Sequence, residues 1–322
     1  MRKRGRTGLM LVGLCLLAVI IIFRGWVGPG PLDKPVVVTI AEGATLTSAA
    51  RQLEKAGVVR SASRFVRFAQ ILGNHRPVMA GEYRIAAHLS ARAVLRTIQS
   101  GKSVVRLLTI PEGMPSILVH ERLMANDDLT GPAPVPVEGS VLPDSYSYDK
   151  GDTRASVLQR MQDEMTRTLD DLWATRQSGL PIQTKREAVI LASIVEKETG
   201  KASERRTVAA VYINRLKVGM RLQADPTVIY PVTKGKPLGR RILRSELRAD
   251  NGYNTYARAG LPEGPIANPG RDAIAAVLDP ADSKALYFVA DGTGGHVFAN
   301  TLAEHNANVA KWYALRRQRG DM

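Results

Sequence analysis

From Gly8 to Phe23 the chain runs GLMLVGLCLLAVIIIF without a single charge. Arg2, Lys3, Arg4 and Arg6 precede this run and Arg24 follows it. With Thr7 and the residues through Val27 it approaches the roughly 20 residues that a bilayer-crossing helix requires. No small-x-small cleavage site follows, so an uncleaved anchor over residues 7–27 is expected rather than a removed signal peptide. The basic bias ahead of the run holds the amino end in the cytoplasm, and a single crossing then places everything after residue 27 outside. Trp26 suits a membrane interface, and the Gly/Pro-rich residues 28–35 read as a linker.

The formal charge of +15 comes from 45 basic against 30 acidic side chains, and five of the basic ones flank the apolar run. The remaining excess favours a polyanionic neighbour: nucleic acid, anionic lipid headgroups or an acidic wall polymer. Aromatics make up only 5% and no finger or RNP-like pattern occurs, which argues against nucleic acid. Cys15 is the only cysteine, so a disulfide framework is excluded. Leu14 stands where a lipidated cysteine wants a small residue, so Cys15 reads as membrane-buried.

The expected fold class is α+β: a transmembrane helix, a small α/β module over residues 36–103, and a mixed α+β domain with a helical core over residues 104–322. In the module, Val36 to Ile40 is strand-like, and Thr45 to Ala56 and Ser61 to Leu72 carry helical apolar spacing. Strand Tyr83 to Ile85 and helix Ala91 to Gln99 follow, closed by Gly101. Beyond it come a strand within Val104 to Ile110 and a helix over Ser116 to Ala125. A proline-rich loop occupies 126–139, and three helices are expected over Thr153 to Thr175, Lys185 to Thr199 and Glu204 to Val218. Residues 219–271 show little regular pattern, which is unusual in a compact domain unless the stretch builds a site. A helix from Asp272, a hairpin of Ala285 to Ala290 with His296 to Phe298, and a helix ending in Arg316 and Arg317 complete the chain.

On a helix advancing about 100° per residue, the bulky apolar residues of 185–199 centre near about 260° and Glu198 falls near about 280°. Glu196, Lys197 and Ser193 form the opposite, polar side. A carboxylate on an inward face is costly to ionise, so its pKa rises and it can hold a proton near neutrality. That is what a general acid at a glycosidic oxygen requires. Geometry alone leaves a second reading open, in which Glu198 swings to solvent or pairs with Arg205 or Arg206.

The segments ASIVEKETGKASERRTVAAVYINRL, GMRLQADPTVIY, YNTYARAGLPEGPIANPG and LYFVADGTGGHVFANTLAEHN occur in this order. Together with MAGEYRI, IQSGK, IPEGM and EGSVLPDSYSY upstream, they resemble the YceG-like family of endolytic murein transglycosylases. The resemblance runs from about residue 35 to near the end. It implies a single membrane anchor, a LysM-like module at 36–103 and a catalytic transglycosylase domain at 104–322. The activity it implies is cleavage of the MurNAc-GlcNAc bond within glycan strands without water, leaving anhydro-MurNAc ends. It also implies peptidoglycan strands as substrate, peptidoglycan synthases as partners, no cofactor, and a place in the cell inner membrane with the catalytic domain periplasmic. The glutamate before Thr in EKET is the family's catalytic residue, which lands on Glu198.

One carboxylate would then act as acid and afterwards as base, the muramic acid's own hydroxymethyl group supplying the nucleophile. Gln223, Tyr253, Asn254, Tyr256 and Asn268 are the candidates for glycan contacts. Tyr253, Asn254, Tyr256 and Asn268 have a plainer reading as turn residues, and so does Asp225, which precedes a proline. Glu204 opens a helix, where a negative charge suits the dipole, and is otherwise a supporting acid. Asp291, His296 and His305 match no common zinc spacing. A water-using muramidase and a non-catalytic wall-binding scaffold are the alternative functions.

Overall fold

The structure is a computed structural model and describes residues 23–320. Most of the anchor expected over residues 7–27 lies outside the described residues, and among those described no helix is long and apolar enough to cross a membrane. The chain divides between Arg106 and Leu107 into two compact units.

The first unit is built on a two-stranded antiparallel sheet, β1 (Val36–Ile40) against β2 (Gly81–Ile85), with Val38 opposite Tyr83. Period-two alternation turns Val38, Ile40, Tyr83 and Ile85 inward. Three helices cover them: α1 (Leu46–Lys55), α2 (Ala62–Leu72) and α3 (Ala91–Gln99). Thr45, Ser61 and Ser90 cap these helices, each side-chain oxygen accepting a first-turn N–H that would otherwise lack a partner. Trp26, expected at a membrane interface, is instead 3% exposed and packs against Phe65 and Phe68 at centroid distances of 6.2 and 6.0 Å. Residues expected as a linker are fastened to the same unit: the Gly30 N–H donates to the His88 carbonyl at 3.1 Å, and the His88 N–H to that of Leu32 at 2.9 Å. A Cβ on Gly30 would come within 2.3 Å of the Leu89 carbonyl oxygen, so this close approach requires glycine.

The second unit opens with β3 (Arg106–Thr109), paired with β4 (Ser145–Tyr148), and α4 (Ser116–Met124) lies between them in sequence. Helices α5 (Arg154–Ala174), α6 (Lys185–Glu198) and α7 (Arg205–Lys217) follow. β4 escaped the sequence reading because its Ser-Tyr-Ser-Tyr pattern is only half-buried. Thr184 and Glu187 form a capping box that fixes the start of α6. From Ala188 to Val195 every residue of α6 is buried, because α7 and α10 (Arg271–Leu278) both pack on it.

Of the polar side expected on α6, Lys197 is exposed, whereas Ser193 and Glu196 turn inward. Ser193 is fully buried, its hydroxyl donating to the Ile190 carbonyl at 2.7 Å and accepting the Ile266 N–H at 3.0 Å. The Glu196 side chain is 6% exposed. The stretch 219–271 is also more regular than its composition suggests, since it contains α8 (Asp225–Thr233) and the short α9 (Arg244–Arg248). Asp225 and Pro226 open α8, where a proline's missing N–H goes unmissed. A hairpin of β5 (Tyr287–Ala290) and β6 (His296–Ala299), then α11 (Leu302–Arg319), end the described chain.

Candidate active site

Glu198 is the last residue of α6, and it opens on a cleft of about 330 Å³ in the second unit. Tyr212 and Arg215 of α7 share that cleft with Gln223, Asp225, Tyr256, Phe288 and His305. Tyr212 and Arg215 are three residues apart on one helix, so both point to the same side. Tyr212 is 1% exposed and lines the cleft beside Glu198, where it holds the carboxyl pKa down. Burial pushes Glu198 up from the ordinary 4.5 to about 7; Asp225 adds to the rise, and Tyr212 and Arg215 oppose it. The carboxyl is therefore part protonated at neutrality, as the apolar face of α6 suggested.

Arg215 builds the wall around this carboxyl. Its guanidinium donates from Nε to the Leu286 carbonyl at 2.7 Å and from Nη1 to that of Leu222 at 2.5 Å, and it lies over the Tyr287 ring at 5.6 Å. One side chain thereby ties the end of α7 to the entry of the hairpin and to the loop before α8. The His305 ring stacks on the other partner of that wall, Tyr287, at 5.1 Å. Burial and Arg215 both lower the His305 pKa, which favours the neutral ring.

Gln223 has φ of 52°, a left-handed conformation unfavourable for a side chain with a Cβ. Buried Leu222 and Ala224 on either side hold it there, and Thr255 completes the clamp. The Gln223 N–H donates to the Thr255 carbonyl at 3.2 Å, and the Ala224 N–H to Thr255 Oγ1 at 3.0 Å. Strain of this kind, retained in a cleft, is a mark of functional loops. Tyr256 donates its hydroxyl to Asp225 Oδ1 at 2.6 Å, so the two loops present Gln223, Asp225 and Tyr256 together.

The other candidates are used elsewhere. Asn254 is 1% exposed; its Nδ2 donates to the carbonyls of Glu246, Leu247 and Ala249, and its Oδ1 accepts the Tyr256 N–H at 2.9 Å. Asn268 is wholly buried: Nδ2 donates to the Met114 carbonyl at 2.9 Å and Oδ1 accepts the Val141 N–H at 3.0 Å. Both amides are saturated by backbone and close loops. Tyr253 packs on Tyr230 at 4.9 Å, outside the cleft. Glu204 lies outside it too, bonded to His296 Nδ1 at 2.8 Å and to Lys201 Nζ at 3.3 Å. Asp291 accepts the Thr293 and Gly295 N–H groups within the hairpin turn. Among the described residues no three His, Cys, Asp or Glu side chains converge as metal ligands.

Asn268→Ala should lower stability by about 2 kcal/mol, because the Val141 N–H loses its acceptor in a buried site. Unaltered melting of the variant would end this structural assignment of Asn268.

Tyr212, Arg215, Phe288 and His305 carried no signal to place them beside Glu198. Tyr212 and Arg215 do sit at helical spacing within the quoted motif, a pattern also met in any packed helix.

The profile of the YceG-like family matches residues 38–311. A protein of Streptococcus pneumoniae serotype 2 (strain D39), named endolytic murein transglycosylase, is 31% identical over 334 aligned residues. The alignment covers 87% of this chain and 60% of the relative, so this chain spans less than two thirds of that protein's length. A Bacillus subtilis (strain 168) protein of the same name is 26% identical, with 90% and 89% of the two chains covered. A crystal structure of a YceG-like protein from Listeria monocytogenes aligns with a TM-score of 0.52 at 26% identity, over 85% of this chain and 99% of that one. With the family profile matched over most of its length, this chain is a member of the YceG-like family.

Proposed function

We propose that this chain is an endolytic peptidoglycan lytic transglycosylase with Glu198 as its single acid and base. The observation that carries the reading is the Glu198 carboxyl, raised by burial to about 7 at the edge of a cleft that it shares with Tyr212 and Arg215. Two relatives named endolytic murein transglycosylase support it.

In the first step the protonated Glu198 gives its proton to the oxygen leaving the muramic C1. The carboxylate so formed then takes the proton of the same sugar's C6 hydroxyl, whose oxygen closes on C1 and forms the anhydro ring. The proton lost in the first step is regained in the second, and water does not enter. Tyr212, beside that carboxyl in the cleft, favours the carboxylate formed between the two steps. Asp225, held by Tyr256, offers negative charge to the oxocarbenium-like centre, and Gln223 and Tyr256 contact the sugars.

The proposal extends to place. The uncharged part of the expected 7–27 anchor, ending at Phe23 ahead of buried Trp26, holds the chain in the inner membrane, and both units face outward, toward nascent strands and the synthases that make them. The first unit, with its βααβα order, serves as the LysM-like module.

A second carboxylate in the cleft, Asp225, also suits a muramidase that activates water, since such enzymes pair two acids. Mass analysis of products from purified glycan strands separates the two. Transglycosylation yields anhydro ends, about 18 mass units lighter than the reducing ends of hydrolysis by the loss of one water. Reducing ends alone would establish the muramidase, and uncut strands would refute both.

A further inference from the structure

Positive charge is unevenly shared between the two units. Residues 23–106 carry 13 Lys and Arg against four Asp and Glu, whereas residues 107–322 carry 28 against 26. The unit that holds Glu198 is close to neutral. The basic excess therefore belongs to the unit that directly follows the apolar run.

Part of that excess surrounds a cavity of about 270 Å³ where the chain enters the first unit. Arg24, Arg60 and Arg64 line it together with Val59, Phe65 and Phe68. All three arginines are exposed, and among the described residues none of them meets a carboxylate. A cavity of this size is near the lower limit of about 300 Å³ for small-molecule sites, which suits one headgroup rather than an extended glycan.

The place of the cavity narrows its occupant. Arg24 follows Phe23, the last residue of the uncharged run, and residues 23–27 are helical. Buried Trp26 and the Gly30–His88 hydrogen bond leave no free linker between that run and the folded unit. With the run in the bilayer, the cavity stands within about one helical turn, some 5 Å, of the hydrocarbon edge. Phosphates of the lipid headgroups lie at that depth.

We propose that this cavity binds an anionic phospholipid of the outer membrane surface, its phosphate among Arg24, Arg60 and Arg64 and its glycerol and first acyl carbons against Phe65 and Phe68. Such a contact adds charge selectivity to the anchor and sets the orientation of the first unit on the membrane. The proposal rests on residues 7–23 crossing the bilayer and is independent of the chemistry assigned to Glu198.

The test uses the full-length chain in non-ionic detergent, titrated with phosphatidylglycerol, phosphatidylcholine or inorganic phosphate and followed by native mass spectrometry. One phosphatidylglycerol should bind per chain, about tenfold or more tighter than phosphatidylcholine. The double variant Arg60→Glu/Arg64→Glu should weaken it by about tenfold or more, and the neutral Arg60→Gln/Arg64→Gln by an intermediate factor. Equal binding of the two lipids, or binding unchanged in both variants, overturns the site. Displacement of phosphatidylglycerol by equimolar inorganic phosphate overturns the lipid assignment in favour of a free-anion site. A chain that fails to co-float with vesicles refutes the membrane reading, and the proposal with it. Glycan cleavage in detergent is a separate readout and should be the same in the wild type and both variants. Loss of cleavage in the wild type would refute the catalytic reading alone and leave the lipid titration standing.

Discussion

Glu198→Gln should lower the rate of glycan cleavage by about a thousandfold or more, since one side chain serves as acid and base in successive steps. Gln keeps the shape, but it has no proton of suitable pKa to exchange. Wild-type kcat/KM should fall as pH rises through about 7, because the first step needs the protonated carboxyl. The same substitution should stabilise the fold in alkali. A carboxyl raised from 4.5 to about 7 binds more protons folded than unfolded within that window. Stability contributed by Glu198 therefore falls as pH rises from 4.5 to 7, and above 7 it levels off about 3 kcal/mol lower. Urea unfolding of wild type and variant at pH 5 and pH 8 measures the difference. A variant that cleaves normally ends the assignment of Glu198. A variant that loses activity but gains nothing at pH 8 shows that the carboxyl is not desolvated.

Arg205→Met should destabilise the second unit by about 3 to 5 kcal/mol, the range for removing one member of a buried ionic cluster. Arg205 begins α7 and is 7% exposed. A cation at a helix N-terminus opposes the dipole, yet three carboxylates hold it there: Asp272 at 3.2 Å, Glu112 at 3.4 Å and Glu196 at 3.7 Å. Glu196 is the group left stranded by the change, with its side chain 6% exposed and only the Gly270 N–H, at 2.8 Å, still bonded to it. Burial already raises its pKa. Protonation relieves a stranded carboxylate, so the loss should be larger at pH 8 than at pH 5. Unfolding midpoints at the two pH values, compared with wild type, check this. A loss below about 1 kcal/mol at pH 8 would reduce the cluster to a surface-like pair.

Helix limits were legible because local chemistry writes them. Thr45, Ser61, Thr153 and Thr184 each stand just before a helix and accept a first-turn N–H, independent of anything remote in the chain. β1 and the hairpin strands were legible through their β-branched and aromatic residues. Other features were not. The helix α8 hides in a stretch whose Pro226 and Pro231 suggest loop, and Pro231 is tolerated inside it. The Trp26 segment looked like membrane interface because an amphipathic ring fits a headgroup layer and a half-open core equally well.

The site divides in the same way. Periodicity placed Glu198 on the inward face of α6, and the structure puts its carboxyl at a cleft with a raised pKa. Periodicity also put Ser193 and Glu196 with Lys197 on a polar side, and only Lys197 is exposed, because residues 188–195 are buried on every side. Gln223, Tyr256, Asn254 and Asn268 looked alike as polar loop residues. Only the first two line the cleft; the other two turn inward to satisfy backbone groups that distant segments bury.

By itself the sequence determined an uncharged run with a basic amino flank, the order and limits of most helices, and a carboxylate on an apolar stripe. Each follows from charge, caps or spacing within a few turns of chain. Which side chains share a cleft with that carboxylate was decided by the tertiary structure alone. Tyr212, Tyr256 and His305 arrive from segments far apart in the chain, and the desolvation that raises Glu198 depends on how closely those segments meet. Composition and periodicity carry no record of that distance.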